Sequence, residues 1–170
     1  VNRDWTTAIA FRLGLEIPLL KDLVGKKCTC GGTIDGKGHH VVGVCGQLTG
    51  ERHIRHTFIK DVTGDIYRQA GAAVTTNPER TLGDLGHHGP PEERNKKIDV
   101  YALFPDGRVE CTDNTHPHPC AATYIRAAQT AGGTAALAES KKRSKYAQVG
   151  AVFTPLVGET YERWGLATVK

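Results

Sequence analysis

The stretch Ile98-Asp99-Val100-Tyr101-Ala102-Leu103-Phe104-Pro105-Asp106-Gly107-Arg108-Val109-Glu110-Cys111-Thr112-Asp113 decides the fold. Two runs rich in β-branched and aromatic residues flank Pro-Asp-Gly, the residues of a three-residue hairpin loop: a type I turn, then glycine in a left-handed conformation. That turn makes Phe104 and Arg108 the first flanking pair. Counting outward, Leu103 faces Val109, Ala102 faces Glu110 and Asp99 faces Asp113. Opposed residues share a face of the sheet, with Cβ atoms about 4.5–5.5 Å apart. Two aspartates so placed repel each other, and a divalent cation between them removes the conflict, since magnesium prefers hard oxygen ligands. Glu110 points to the other face and is the weaker candidate. Solvated strand ends are the plain alternative, and a two-residue turn would shift the register by one and part the acids.

Working outward, the segment after the hairpin reads as helices over 121–130 and 135–148, separated by Gly132-Gly133. Lys142 and Lys145, three apart, share one helical face. Residues 150–157 read as a last buried strand, followed by a short helix near Glu159–Trp164. Upstream, Ile54, Phe58, Val62 and Ile66 recur at steps of four and mark a helix with one buried stripe, and Gly71 lies where a left-handed cap residue belongs. Arg52 and Arg55 open that helix on one face suited to a DNA phosphate, with His56 beside them; packing beneath the preceding loop is an equal alternative for His56. Residues 77–97, with Pro78, Gly83, Gly86, Gly89, Pro90 and Pro91, read as a loop or mobile flap. Within it, Glu79 is either an additional carboxylate or a plain flap residue. Residues 4–15 read as a short amphipathic helix capped by Asp4.

Between these helices lies Cys28-x-Cys30-x9-His40-x4-Cys45. Zinc takes four nitrogen or sulfur ligands in a tetrahedron, and Gly31, Gly32, Gly36 and Gly38 let so short a chain close around one. His39 is an alternative to His40, because spacing does not separate neighbouring histidines. The segment is poor in apolar residues, so a structural Zn2+ stands in for a core. A second group, Cys111-x4-His116-x-His118-x-Cys120, offers donors for another zinc, although a surface loop following the strand is the expectation there.

Composition sets the bounds. The 170 residues are 39% hydrophobic with 20 glycines and carry a formal charge of +4, with a pI near 8.8. That balance permits nucleic-acid binding without requiring it. No stretch of about 20 apolar residues occurs, so no membrane-spanning helix is expected. The chain begins Val1-Asn2-Arg3-Asp4 and contains no methionine, which suggests a fragment of a longer polypeptide. The expected organisation is an N-terminal helix and zinc knuckle over 1–50 and a core over 51–170. The expected fold class is α/β, a small mixed sheet flanked by helices and preceded by the zinc-stapled loop.

In order along the chain stand Cys-x-Cys-Gly, His-x4-Cys, Arg-x2-Arg-His, an acid opening a hairpin, Asp-x-Thr at its end, then Lys-x2-Lys-Tyr. From about Cys28 to Tyr146 this order resembles the restriction-like endonuclease module of site-specific non-LTR retrotransposon proteins, in which a zinc knuckle precedes a nuclease core of the PD-(D/E)XK superfamily. The tail from Phe153 to Thr160 is similar to the ending of such reverse-transcriptase proteins. The resemblance implies that Asp99 and Asp113 are the catalytic, Mg2+-binding acids and that Lys142 or Lys145 is the catalytic lysine. It implies that Cys28, Cys30, His40 and Cys45 are the knuckle. It further implies a DNA target, a parent polypeptide with a reverse transcriptase and its RNA, and a nuclear or intracellular setting. Ile98 stands where the family usually has proline, and Asn114-Thr115 where it has Val-Thr. The alternative function is a catalytically inactive zinc-containing nucleic-acid-binding module or a docking domain of a reverse transcriptase.

Overall fold

The computed structural model describes residues 3–149, 151–161 and 163–169. Helix α1 spans Arg3–Arg12; the Asp4 cap expected from the sequence lies outside the described side chains. The Cys/His stretch follows, with the chain in turns up to His39 and a single wide helical turn over His40–Val44. Helix α2 spans Thr49–Gln69. It ends as the glycine signal predicts: Gly71 takes φ 88° and its N–H bonds the Arg68 carbonyl at 2.9 Å. Strand β1 (Ala73–Thr75) then leads through β2 (Arg80–Thr81), α3 (Pro91–Arg94) and β3 (Lys97–Ile98) to β4 (Val100–Leu103) and β5 (Val109–Thr115). Helix α4 (Gly133–Lys145) and β6 (Val152–Val157) complete the fold.

The main sheet has the order β1-β4-β5-β6. β1 and β5 run antiparallel to β4, whereas β6 runs parallel to β5, so the sheet is mixed. The β4–β5 register matches the count from the Pro-Asp-Gly turn: Leu103 pairs with Val109 and Ala102 with Glu110. Gly107 sits at φ 83°, and the Phe104 N–H bonds the Arg108 carbonyl at 2.9 Å. The strand expected from Ile98 to Phe104 breaks at Asp99, because Ile98 pairs with Arg80 in a separate two-stranded sheet. Helix α2 lies on the face of Val74 and Glu110, as the approach of Gly64 to Val74 and of Tyr67 to Glu110 records. Helix α4 lies on the opposite face, its end bringing Tyr146 into a core cluster with Leu82, Ile98 and Cys111.

Several expectations are corrected. Ile54, Phe58 and Ile66 are 63%, 66% and 61% exposed, and Val62 is exposed as well, so the apolar stripe of α2 faces outward. The inward face carries Lys60 and Gly64 together with half-buried His56. Gly64 is there because a Cβ would stand 2.8 Å from Thr76 Cγ2. Residues 77–97 are no loose flap: they hold β2, α3 and β3, and Leu82 is fully buried. The helix read over 121–130 is a series of turns with one short helical turn at Ala127–Gln129, reversed where Gly133 presses on the Ala127 carbonyl. The helix read near Glu159–Trp164 is replaced, among the described residues, by a bridge between Gly158 and Trp164. There Thr160 and Tyr161 are drawn back to His118 and His39. Gly150, read as the start of the last strand, lies outside the described residues. No helix is long and apolar enough to cross a membrane among the described residues.

Candidate metal centre and acid site

Cys28, Cys30, His40 and Cys45 converge, each ligand atom within 4.8 Å of the others. Cys28 Sγ and Cys45 Sγ are 3.7 Å apart, Cys30 Sγ and Cys45 Sγ 3.8 Å, and Cys30 Sγ and His40 Nε2 3.4 Å. These separations are far too long for a disulfide, whose sulfurs stand about 2.05 Å apart. A tetrahedron with Zn–S near 2.3 Å and Zn–N near 2.05 Å has edges of about 3.8 Å between sulfurs and about 3.5 Å from sulfur to nitrogen. The donors therefore fit zinc in both chemistry and spacing, and the cluster can hold such a metal. The loop is shaped for it: Asp35 accepts the N–H groups of His39 and His40 at 3.1 and 2.7 Å, fixing the turn that delivers the imidazole. Gly32 packs on the His40 ring so closely that a Cβ would overlap it. Hydrogen bonds from the Cys30 backbone and the His40 side chain lower the Cys28 thiol to about 6, toward the thiolate a metal requires.

The choice between neighbouring histidines is resolved by geometry. His40 joins the three thiols, whereas His39 turns to a different cluster with His118 and Cys120. The second group read from the sequence is thus divided: Cys111 is buried in the hydrophobic core beside Tyr146, and His116 bonds the Gly158 carbonyl at 3.2 Å.

The second centre is acidic. One register step beyond Val100–Thr112, Asp99 and Asp113 come together, 5% and 4% exposed, with His56; their ligand atoms lie within 4.8 Å of one another. Asp99 Oδ2 accepts the Asn114 N–H at 2.6 Å and contacts His56 Nε2 at 3.0 Å. Lys142 Nζ stands 2.5 Å and Lys145 Nζ 3.6 Å from Asp113 Oδ2. The two lysines do share the face their spacing implies, whereas Lys141 turns away over the Tyr124 ring. Glu110 is apart from the site, paired with Arg108, and Glu79 is paired with Lys60 at 2.9 Å.

The two carboxyls differ electrostatically. Burial disfavours charge on Asp99, but His56 and the Asn114 N–H outweigh it and hold the group below the ordinary carboxylate range. Burial pushes Asp113 above that range, Lys142 opposes the push and the Asp99 charge adds to it. His56 is raised by its bond to Asp99 against the effect of burial. Paired buried carboxyls pushed apart in this way share one negative charge comfortably and two only with a cation at hand.

No protein-family model matches the chain, and no curated protein shows significant similarity to it.

Among the candidate DNA contacts, Arg52 donates to the Gly43 carbonyl and to Thr49 Oγ1, each at 3.3 Å. Arg55 is half-buried, and its Nε has no hydrogen-bond partner. His56 belongs to the acid site and is engaged with Asp99. The sequence reading missed that engagement, because a histidine one turn after Arg52 carries no sign of which sheet residue it meets. It also missed the Asn114 N–H, a backbone group that no side-chain pattern reveals.

Proposed function

We propose that the chain is a restriction-like endonuclease module that hydrolyses a DNA phosphodiester with magnesium held by Asp99 and Asp113. The observation that carries this reading is the meeting of two buried carboxyls within 4.8 Å, with a lysine ammonium 2.5 Å from one of them. Asp99 and Asp113 are the groups that would hold the ion, which supplies a hydroxide at neutral pH and neutralises charge on the phosphate. Asp99, kept ionised by His56 and the Asn114 N–H, is the standing negative ligand. Asp113, whose carboxyl burial holds above the ordinary range, would be the second ligand, and the cation would favour its ionised form. Lys142, nearer than Lys145, takes up charge that develops on the phosphate oxygens. Arg52 and Arg55, three apart on one face of α2, hold the DNA backbone. The order of motifs supports a parent polypeptide carrying a reverse transcriptase with its RNA, acting in a nuclear or intracellular setting. The Cys28, Cys30, His40 and Cys45 cluster is then a structural zinc knuckle.

A second reading is a nucleic-acid-binding or docking module without catalysis. It is favoured by the closed pairing of the acids, Asp99 with His56 and Asp113 with Lys142, which needs no further ion. Nicking of supercoiled plasmid in magnesium separates the two. Wild type is expected to nick, and Asp99→Ala and Asp113→Ala each to lower the rate by about 10²-fold or more. Equal nicking by both variants and wild type overturns the catalytic pair. DNA retardation that survives the substitutions, with no nicking by wild type, establishes the second reading.

A further inference from the structure

We infer that His39, His118 and Cys120 form a second zinc site, which clamps the Cys/His lobe to the sheet. Their ligand atoms lie within 4.8 Å of one another, although His39 belongs to the lobe and the other two follow β5. Each imidazole has one nitrogen held and one left over. His118 Nδ1 meets Thr160 Oγ1 at 2.6 Å, while its Nε2 is buried without any hydrogen-bond partner in a side chain only 4% exposed. His39 Nδ1 meets the Tyr161 hydroxyl, which leaves Nε2 for a ligand. A polar partner on the far nitrogen is how proteins fix the tautomer and aim of a metal-binding histidine. A buried imidazole nitrogen with no partner is otherwise an unfavourable arrangement.

The donor set decides the metal. Two imidazoles and a thiolate suit zinc and neighbouring borderline divalent ions, whereas magnesium and calcium take oxygen. A water completes the tetrahedron, and the Tyr161 hydroxyl stays outside it as the partner of His39 Nδ1. The backbone is fitted to the site as well. Gly43, between His40 and Cys45, lies so close to the His118 ring that a Cβ would stand 2.0 Å from Cδ2. Successive histidines therefore serve successive metals, His40 inside the lobe and His39 across its boundary with the sheet.

The test is metal content of the full chain, purified with zinc and freed of loose ions by gel filtration. Asp99→Ala serves as the background, so that the acid site contributes none. Two zinc per chain are expected in that background, and one after Cys120→Ala, an exposed position whose loss leaves the core intact. Cobalt substitution gives an independent reading: Cys120→Ala is expected to remove one of two sets of absorption bands and to leave the three-thiolate set unchanged. One zinc per chain in the background overturns the inference without any further variant. Two zinc retained in both Cys120→Ala and His118→Ala overturns it equally.

Discussion

The β4–β5 hairpin and helix α2 bury opposite kinds of residue. In the hairpin, apolar Val100, Ala102 and Cys111 go inside as a sheet core should, and the acids are carried in at its open end. In α2 the order is inverted: Ile54, Phe58 and Ile66 face out, while Lys60, Gly64 and His56 face the sheet. The difference teaches that α2 is oriented by charge. Buried Asp99 lies beneath it and takes His56, and buried Lys60 takes half-buried Glu79, because a buried charge left unpaired costs more than apolar side chains left in water.

The comparison breaks first at the acids. Lys142→Met leaves Asp113 buried without its nearest cation and is expected to cost about 3–5 kcal/mol by urea unfolding. The loss has a pH signature. Asp113 already has its folded pKa above the unfolded value, so the folded state binds the proton more readily and stability falls as pH rises past the ordinary carboxylate range. Losing the cation pushes the folded pKa higher, so the penalty should be larger at pH 8 than at pH 5. A penalty independent of pH would mean that Lys142 acts through packing alone.

A smaller effect is expected where the helix meets the sheet. Gly64→Val places methyl groups against Thr76 and Val74 and should cost about 1–3 kcal/mol by overpacking, read from the urea midpoint. The smallest belongs to the outward stripe. Phe58→Ala should change stability by no more than about 0.5 kcal/mol. A loss above about 2 kcal/mol would show that the stripe is covered and that the inversion of α2 is wrong.

How much could be read beforehand follows from what each pattern contains. Pro105-Asp106-Gly107 specifies a turn, a turn specifies a register as far as Val100–Thr112, and the Asn114 N–H and His56 then hold Asp99 beside Asp113. The Cys/His cluster was legible because its four donors lie within one short segment. Periodicity in α2 gave the existence of the helix and the position of its stripe, but a stripe has no sign: which side faces in depends on acids far away in the chain. Leu82 was lost for a similar reason, since one buried leucine among glycines and prolines makes no period. His118 and Cys120 stood together in the sequence, but remote His39 joins them only by the docking of the lobe.

The parallel pairing of β6 with β5 has a consequence for the order in which the molecule is made. Parallel neighbours need a crossover, and here the crossover contains α4, whose seat is β6. As a nascent chain emerges, both acids precede their ammonium groups, and those groups cannot be held until the strand beyond them has emerged and docked. Until that moment a growing polypeptide carries the two carboxyls without the ammonium groups that face Asp113.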